Sequence, residues 1–219
     1  MVTLEQVREN PEVKAYIRVA DDMLKSRGVT EHSFAHVTRT AGMAQRLMGE
    51  MGGDKRRQEL TYMAGYLHDI GNVVNRIHHA QSGAVMAFHI LEKMGMEAEE
   101  IAAVVAAIGN HDEGTADVVN DIAAALILAD KSDVRRSRVR NRDLASFDIH
   151  DRVNHAVTTS TLLFSAKSHD IILDLRIETD LSPIISYFEI FLDRMLLCTK
   201  AADFFHRSFG LIVNDQRLL

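Results

Sequence analysis

Six side chains able to ligate a metal recur in order along the chain: His36, the adjacent pair His68-Asp69, His79, His111 and Asp130. Four imidazoles and two carboxylates make a mixed nitrogen–oxygen donor set. Such a set suits one or two divalent transition metals (Mn, Fe, Co or Ni, with Mg or Zn as further options), whereas an all-oxygen set favours Mg or Ca. Metals of this kind activate water. A structural zinc site is not expected, because Cys198 is the only cysteine and such sites draw on cysteine pairs. Two neighbours compete for the same roles: His32 lies on the same helix side as His36, and His78 precedes His79. His89 reads as a core-edge residue, while His150, His155, His169 and His206 fall without metal-capable partners.

Helical segments must carry these groups. Val13, Ile17, Ala20 and Leu24 recur at helical spacing, and Gly28 follows as a stop. Thr30 or Ser33 can cap the next helix, whose face holds Phe34, Val37, Ala41, Ala44, Met48 and Met51 before Gly52-Gly53 ends it. Asp54 is a plausible cap for a third helix, running to about Ile70 with Gly71 as its breaker. Adjacent residues point about 100° apart in mid-helix. His68 and Asp69 can therefore share a site best where their helix ends. Further helices are predicted over about 80–94, 97–108 and 117–133, which leaves His111 in a loop and Asp130 inside the last.

Beyond that point the pattern changes. Arg135, Arg136, Arg138, Arg140 and Arg142 form a basic run. Residues 157–165 and 170–177 are β-branched and separated by AKSH, the pattern of a hairpin. A long amphipathic helix over about 183–206 follows, and residues 208–215 read as a final strand. The expected fold is mainly α: a helical metal-binding domain over 1–145 and a small α+β subdomain over 146–219 made of hairpin, long helix and strand. Strands with open edges make a homodimer through that subdomain a further expectation.

A net charge of −6 excludes a chain whose main task is coating nucleic acid. No apolar run approaches the ~18–20 residues of a membrane span. The charged start MVTLEQVREN lacks a secretory h-region, and a lone cysteine fits a reducing compartment, so a cytoplasmic location is expected.

The segments AHVTRT (35–40), AGYLHDIGN (64–72), HAQSGA (79–84), IGNHDEG (108–114) and LILADKSD (126–133) together resemble the HD-domain superfamily of metal-dependent phosphohydrolases. The resemblance implies that His36, His68, Asp69 and Asp130 ligate a first metal. His79 and His111 resemble the additional histidines of two-metal members, with Asp69 as the bridging carboxylate. Members that split cyclic di-GMP carry two adjacent histidines and a Gly-Tyr-Pro stretch. Here Asn110 precedes His111 and no Gly-Tyr-Pro follows, so that substrate is not expected. The implied activity is hydrolysis of a phosphate ester, of a nucleotide or a related small molecule. Asp69 and Lys131 would be the catalytic residues, with Arg39, Lys131, Arg135 and Arg136 binding substrate. Asp112 and Glu113 are candidates for proton transfer. The six-ligand set also resembles that of the superfamily's di-iron oxygenases, and a signalling or scaffold module with a non-catalytic metal site is a third reading.

Overall fold

The structure is a computed structural model that describes residues 1–167 and 169–219. Ser168, in the turn expected between the first two strands, lies outside the described residues.

Side-chain caps set most helix starts. Asn10 caps α2 (Pro11–Ser26), with Pro11 at the first helical position after the short α1 (Leu4–Glu9). Of the two candidates, Ser33 caps α3 (Phe34–Glu50), and Asp54 caps α4 (Lys55–Leu67). α5 (His79–Lys93), α6 (Ala98–Gly109) and α7 (Asp121–Lys131) follow. α7 begins four residues later than the periodicity predicts, because the Asn120 side chain accepts from Ala123 N–H and fixes the start.

The end of α4 also differs from expectation. Its α-geometry stops at Leu67 instead of continuing to Ile70, and a 3-10 turn covers Ile70–Val73. His68 Nδ1–H donates to Gly65 O at 2.8 Å, and Asn72 Nδ2 donates to both the carbonyl and Oδ1 of Asp69 at 3.0 Å. These local bonds compete with helix continuation. They turn the chain where His68 and Asp69 must face one point.

α3 and α4 pack with their backbones close together. A Cβ on Gly65 would lie 2.7 Å from Ala41 Cα, so only glycine allows this approach. α7 is buried along its whole length from Ile122 to Lys131 and forms the centre of the bundle.

The C-terminal part comprises α8 (Ile149–Ala156), β1 (Val157–Leu163), β2 (Asp170–Ile177), α9 (Ile184–Phe204), β3 (Ser208–Val213) and β4 (Gln216–Arg217). β1 and β2 pair antiparallel, as the hairpin pattern predicts. α9 is the crossover that lets β2 and β3 pair in parallel. The sheet order is β1-β2-β3-β4. α9 packs along α7, and Tyr187, Phe191 and Cys198 join Leu126 and Met63 in one continuous core. No helix among the described residues is long and apolar enough to cross a membrane.

Candidate metal centre

Five elements deliver six side chains to one buried point. His36 comes from the first turn of α3, and His68 and Asp69 from the turn after α4. His79 begins α5, His111 follows α6, and Asp130 lies in the last turn of α7. All six are buried. His36 Nε2 lies 3.3 Å from His68 Nε2, 3.5 Å from Asp69 Oδ2 and 3.3 Å from Asp130 Oδ1. His68 Nε2 is 3.2 Å from Asp69 Oδ2 and 3.6 Å from Asp130 Oδ1. On the other side of the same carboxylate, Asp69 Oδ1 is 3.5 Å from His79 Nε2. The His111 ring stands 4.9 Å from that of His68 and 5.1 Å from that of His79, centroid to centroid.

The sequence left two choices open, and the structure separates them. His36 enters the cluster, while His32 stands beside it, its ring 5.4 Å from that of His36 and its Nδ1 bonded to Thr30 O. His79 is buried in the cluster, and His78 is exposed with left-handed backbone.

Three observations fit this cluster to a cation. First, every imidazole Nδ1–H is committed outward: His36 to Asp133 Oδ2 (2.7 Å), His68 to Gly65 O, His79 to Arg76 O (3.0 Å) and His111 to Ile108 O (2.6 Å). Such bonds fix the tautomer that turns the Nε2 lone pair inward. Second, Asp69 Oδ2 is fully buried with no hydrogen-bond partner among the described residues, despite two imidazole nitrogens within 3.5 Å. Third, donor atoms about 2.1 Å from a common ion lie roughly 3.0–3.6 Å from one another, the spacing seen here. Two triads, His36/His68/Asp130 and His68/Asp69/His111, each bring three donor atoms within 4.8 Å of one another.

Electrostatics agree. Burial alone would raise the carboxyl pKa values of Asp69 and Asp130, yet both are held well below the usual range. His68 chiefly opposes burial at Asp69, and Lys131 with the imidazoles does so at Asp130. Burial pulls the His68 imidazole down, but Asp69 and Asp130 outweigh it and raise it to about 10. The point between the carboxylates therefore attracts positive charge. His111, buried and facing cationic neighbours, is held well below its ordinary value.

Behind Asp130 runs a chain of alternating charges. Lys131 Nζ sits 2.8 Å from Asp130 Oδ2 and 3.0 Å from Glu113 Oε2, and Glu113 Oε1 accepts from Arg194 Nε of α9. Burial lowers the Lys131 pKa, but Asp130 and Glu113 reverse this and keep the amine charged. Lys131 borders the cleft over the cluster, as does Asp112, whose Oδ1 is 4.0 Å from His79 Nε2. Arg76, Arg138 and Arg194 also border this cleft. With His32 they line the adjoining chamber of about 280 Å³, which extends to Arg27 and His150.

Arg39, Arg135 and Arg136, expected to bind substrate, are not brought to the cluster. They line a separate cleft with Thr159 and Thr161 beyond Asp133. Carboxylates already engage them: Arg135 pairs with Glu31 at 3.0 Å and Asp133 at 2.9 Å, Arg136 with Glu178 at 2.7 Å, and Arg39 with Asp133 at 3.3 Å. Asp133 itself, the partner of His36, was not anticipated, although it lies one helical turn beyond Asp130. Nor were Arg76 and Arg194. No sequence signal marks Arg194 beyond a charge beside the apolar stripe of α9, where Asp193 precedes it.

A family model described as HD domain matches residues 33–153, more than half of the chain. No curated protein is significantly similar to the chain. Among solved structures, a predicted HD superfamily hydrolase from an uncultured Thermotogales bacterium is 23% identical, with a TM-score of 0.44. The match covers 61% of this chain and 75% of that one.

Proposed function

The chain belongs to the HD-domain family, and from that premise we propose that it is a metal-dependent phosphohydrolase acting on a small phosphate ester. The observation that carries this reading is that the buried histidine–aspartate cluster opens into a cavity rimmed by Arg76, Arg138 and Arg194. His36, His68, Asp69, His79, His111 and Asp130 would hold the metal or metals. A divalent ion held by such ligands polarises phosphoryl oxygens and lowers the pKa of water from 15.7 to about 7.

The chain's own residues do the rest. Arg76 and Arg138 at the rim bind the phosphoryl oxygens with charge-assisted hydrogen bonds and orient the ester. Asp112 Oδ1, partly exposed beside His79, accepts a proton from the water that attacks phosphorus. Lys131 stays pinned between Asp130 and Glu113 and sets the position and charge of the Asp130 carboxylate. The chamber lies near the lower bound of ~300 Å³ for ligand pockets. It therefore favours a small organic group, such as that of a mononucleotide, over a polymer.

The test is a panel of phosphate esters offered to protein loaded with Mn, Co, Ni or Fe. Release of inorganic phosphate from at least one ester is expected. Two irons per chain, oxygen consumption and no phosphate release from any ester would overturn the reading in favour of an oxygenase. A second prediction concerns Asp133. Asp133→Asn removes the charge that orients His36 through Nδ1, and loss of such an outer-shell partner lowers metal affinity roughly 10–100-fold. Titration of the metal-free variant with Mn or Co measures it, and unchanged affinity would mean that His36 does not ligate.

A further inference from the structure

Helix α9 lies outside the family match at 33–153, yet one of its side chains reaches the metal cleft. The inward face of α9 is apolar and buried, with Tyr187, Phe191, Met195, Cys198 and Ala202. Arg194 borders this stripe. Burying a guanidinium among such side chains is costly unless its charge is matched.

Burial lowers the Arg194 pKa, but Glu113 and Asp130 outweigh it, so the charge is matched while the hydrogen-bond donors are not all used. Arg194 Nε donates to Glu113 Oε1, and its guanidinium carbon sits 4.3 Å from the centroid of the Phe191 ring. Those two contacts fix the plane and direction of the fork. Its terminal nitrogens donate no hydrogen bond among the described residues, and the residue borders both the cleft and the chamber. The same Glu113 carboxylate also meets Lys131, which in turn pairs with Asp130.

Two other guanidiniums facing this space also have unspent donors. Arg138 gives Nε to Glu31 O and Nη1 to Asp133 O, and Nη1 lies 3.7 Å from the Asp133 carboxylate, which leaves Nη2 unspent. Arg76 has no carboxylate partner among the described residues. Its Nη1 is 3.4 Å from Asn72 Oδ1 and from His79 Nε2. Burial lowers the Arg138 pKa against the pull of Asp133 and Asp130, and Arg194 adds to the lowering, so like charges confront each other. An anion between them would satisfy the free donors and offset that repulsion.

We infer that Arg194 binds the phosphate group of the substrate over the metal centre, which makes the C-terminal helix part of the active site. This rests on the phosphohydrolase reading for the identity of the anion. Glu113 is the positioning residue that aims the fork, and the helix that carries Arg194 lies outside the matched residues 33–153.

The experiment uses full-length, metal-loaded protein and inorganic phosphate as probe, titrated calorimetrically, with metal content measured in parallel. Arg194→Gln is expected to weaken phosphate binding roughly 10–100-fold, the cost of losing a charged hydrogen-bond partner, with metal content unchanged. Arg194→Lys keeps the charge but loses the fork, and should fall between the two. If Arg194→Gln fails to fold because Glu113 is left underpaired, the double variant Glu113→Gln/Arg194→Gln removes both charges and serves in its place. Phosphate affinity within two-fold of the parent in a folded, metal-loaded variant overturns the inference, as does no phosphate binding by the parent. The probe needs no turnover. Loss of phosphate binding in Arg194→Gln, with no ester hydrolysed by the parent, would keep Arg194 as the anion-binding residue of this cleft and sink the phosphohydrolase reading that identifies the anion as a substrate phosphate.

Discussion

Replacing Asp69 with alanine is expected to remove bound metal and hydrolytic activity together while leaving the helical fold intact. Asp69 is the one carboxylate that faces both halves of the cluster: Oδ2 lies toward His36 and His68, and Oδ1 toward His79. Losing it deprives both halves of a donor, which losing His36 or His79 alone would not do. Activity should fall by at least about a thousand-fold, since the metal supplies the activated water. The fold should survive because Asp69 Oδ2 makes no hydrogen bond, so its removal leaves no protein donor stranded. Asn72 Nδ2 loses Oδ1 but keeps the Asp69 carbonyl, which alanine retains. Metal analysis, a turnover assay and far-ultraviolet circular dichroism read the three quantities. Full activity in Asp69→Ala would remove the metal centre from the mechanism altogether.

Much of this centre is legible in the sequence because its members sit at element ends, where local signals are strong. The His68-Asp69 pair precedes a glycine, Ser33 and Asn120 are capping residue types, and β-branched runs mark β1 and β2. Burial decides what local signals leave open: His36 and His32 share a helix side in the sequence, but only His36 turns into the cluster.

The arginines were harder to read for a different reason. Arg135 and Arg136 stand next to Asp133 in sequence and look like a phosphate patch. Glu31 and Glu178, distant in sequence, neutralise them. Arg194 shows the reverse case, 64 positions after Asp130 (194 − 130) and without a neighbouring motif. Its relevance follows from the packing of α9 along α7, a tertiary contact with no local signature. A residue's charge is visible in the sequence, but its counter-charge is set by the fold.

Gly71→Ala should have the largest effect on stability of any single methyl addition near the site. The sequence identifies Gly71 as a helix breaker, but its dihedrals are not of the left-handed kind that demand glycine. What demands it is space. A Cβ at this position would lie 2.0 Å from His79 O and 2.4 Å from Gly83 N, both backbone atoms that cannot swing aside as a flexible side chain can. The turn after α4 and the start of α5 would have to separate, and overpacking of this kind costs about 3 kcal/mol. For a chain of this size that corresponds to a fall in Tm of roughly 6–12 °C. The same displacement moves His79 away from Asp69, while His36 on α3 and Asp130 on α7 keep their relation. Metal stoichiometry should therefore drop on the His79 side before the His36 side is lost. Calorimetric melting of the metal-free protein, followed by metal titration, separates the two effects. A Tm within about 2 °C of the parent with unchanged stoichiometry would show that the close approach of Gly71 to α5 does not set the site.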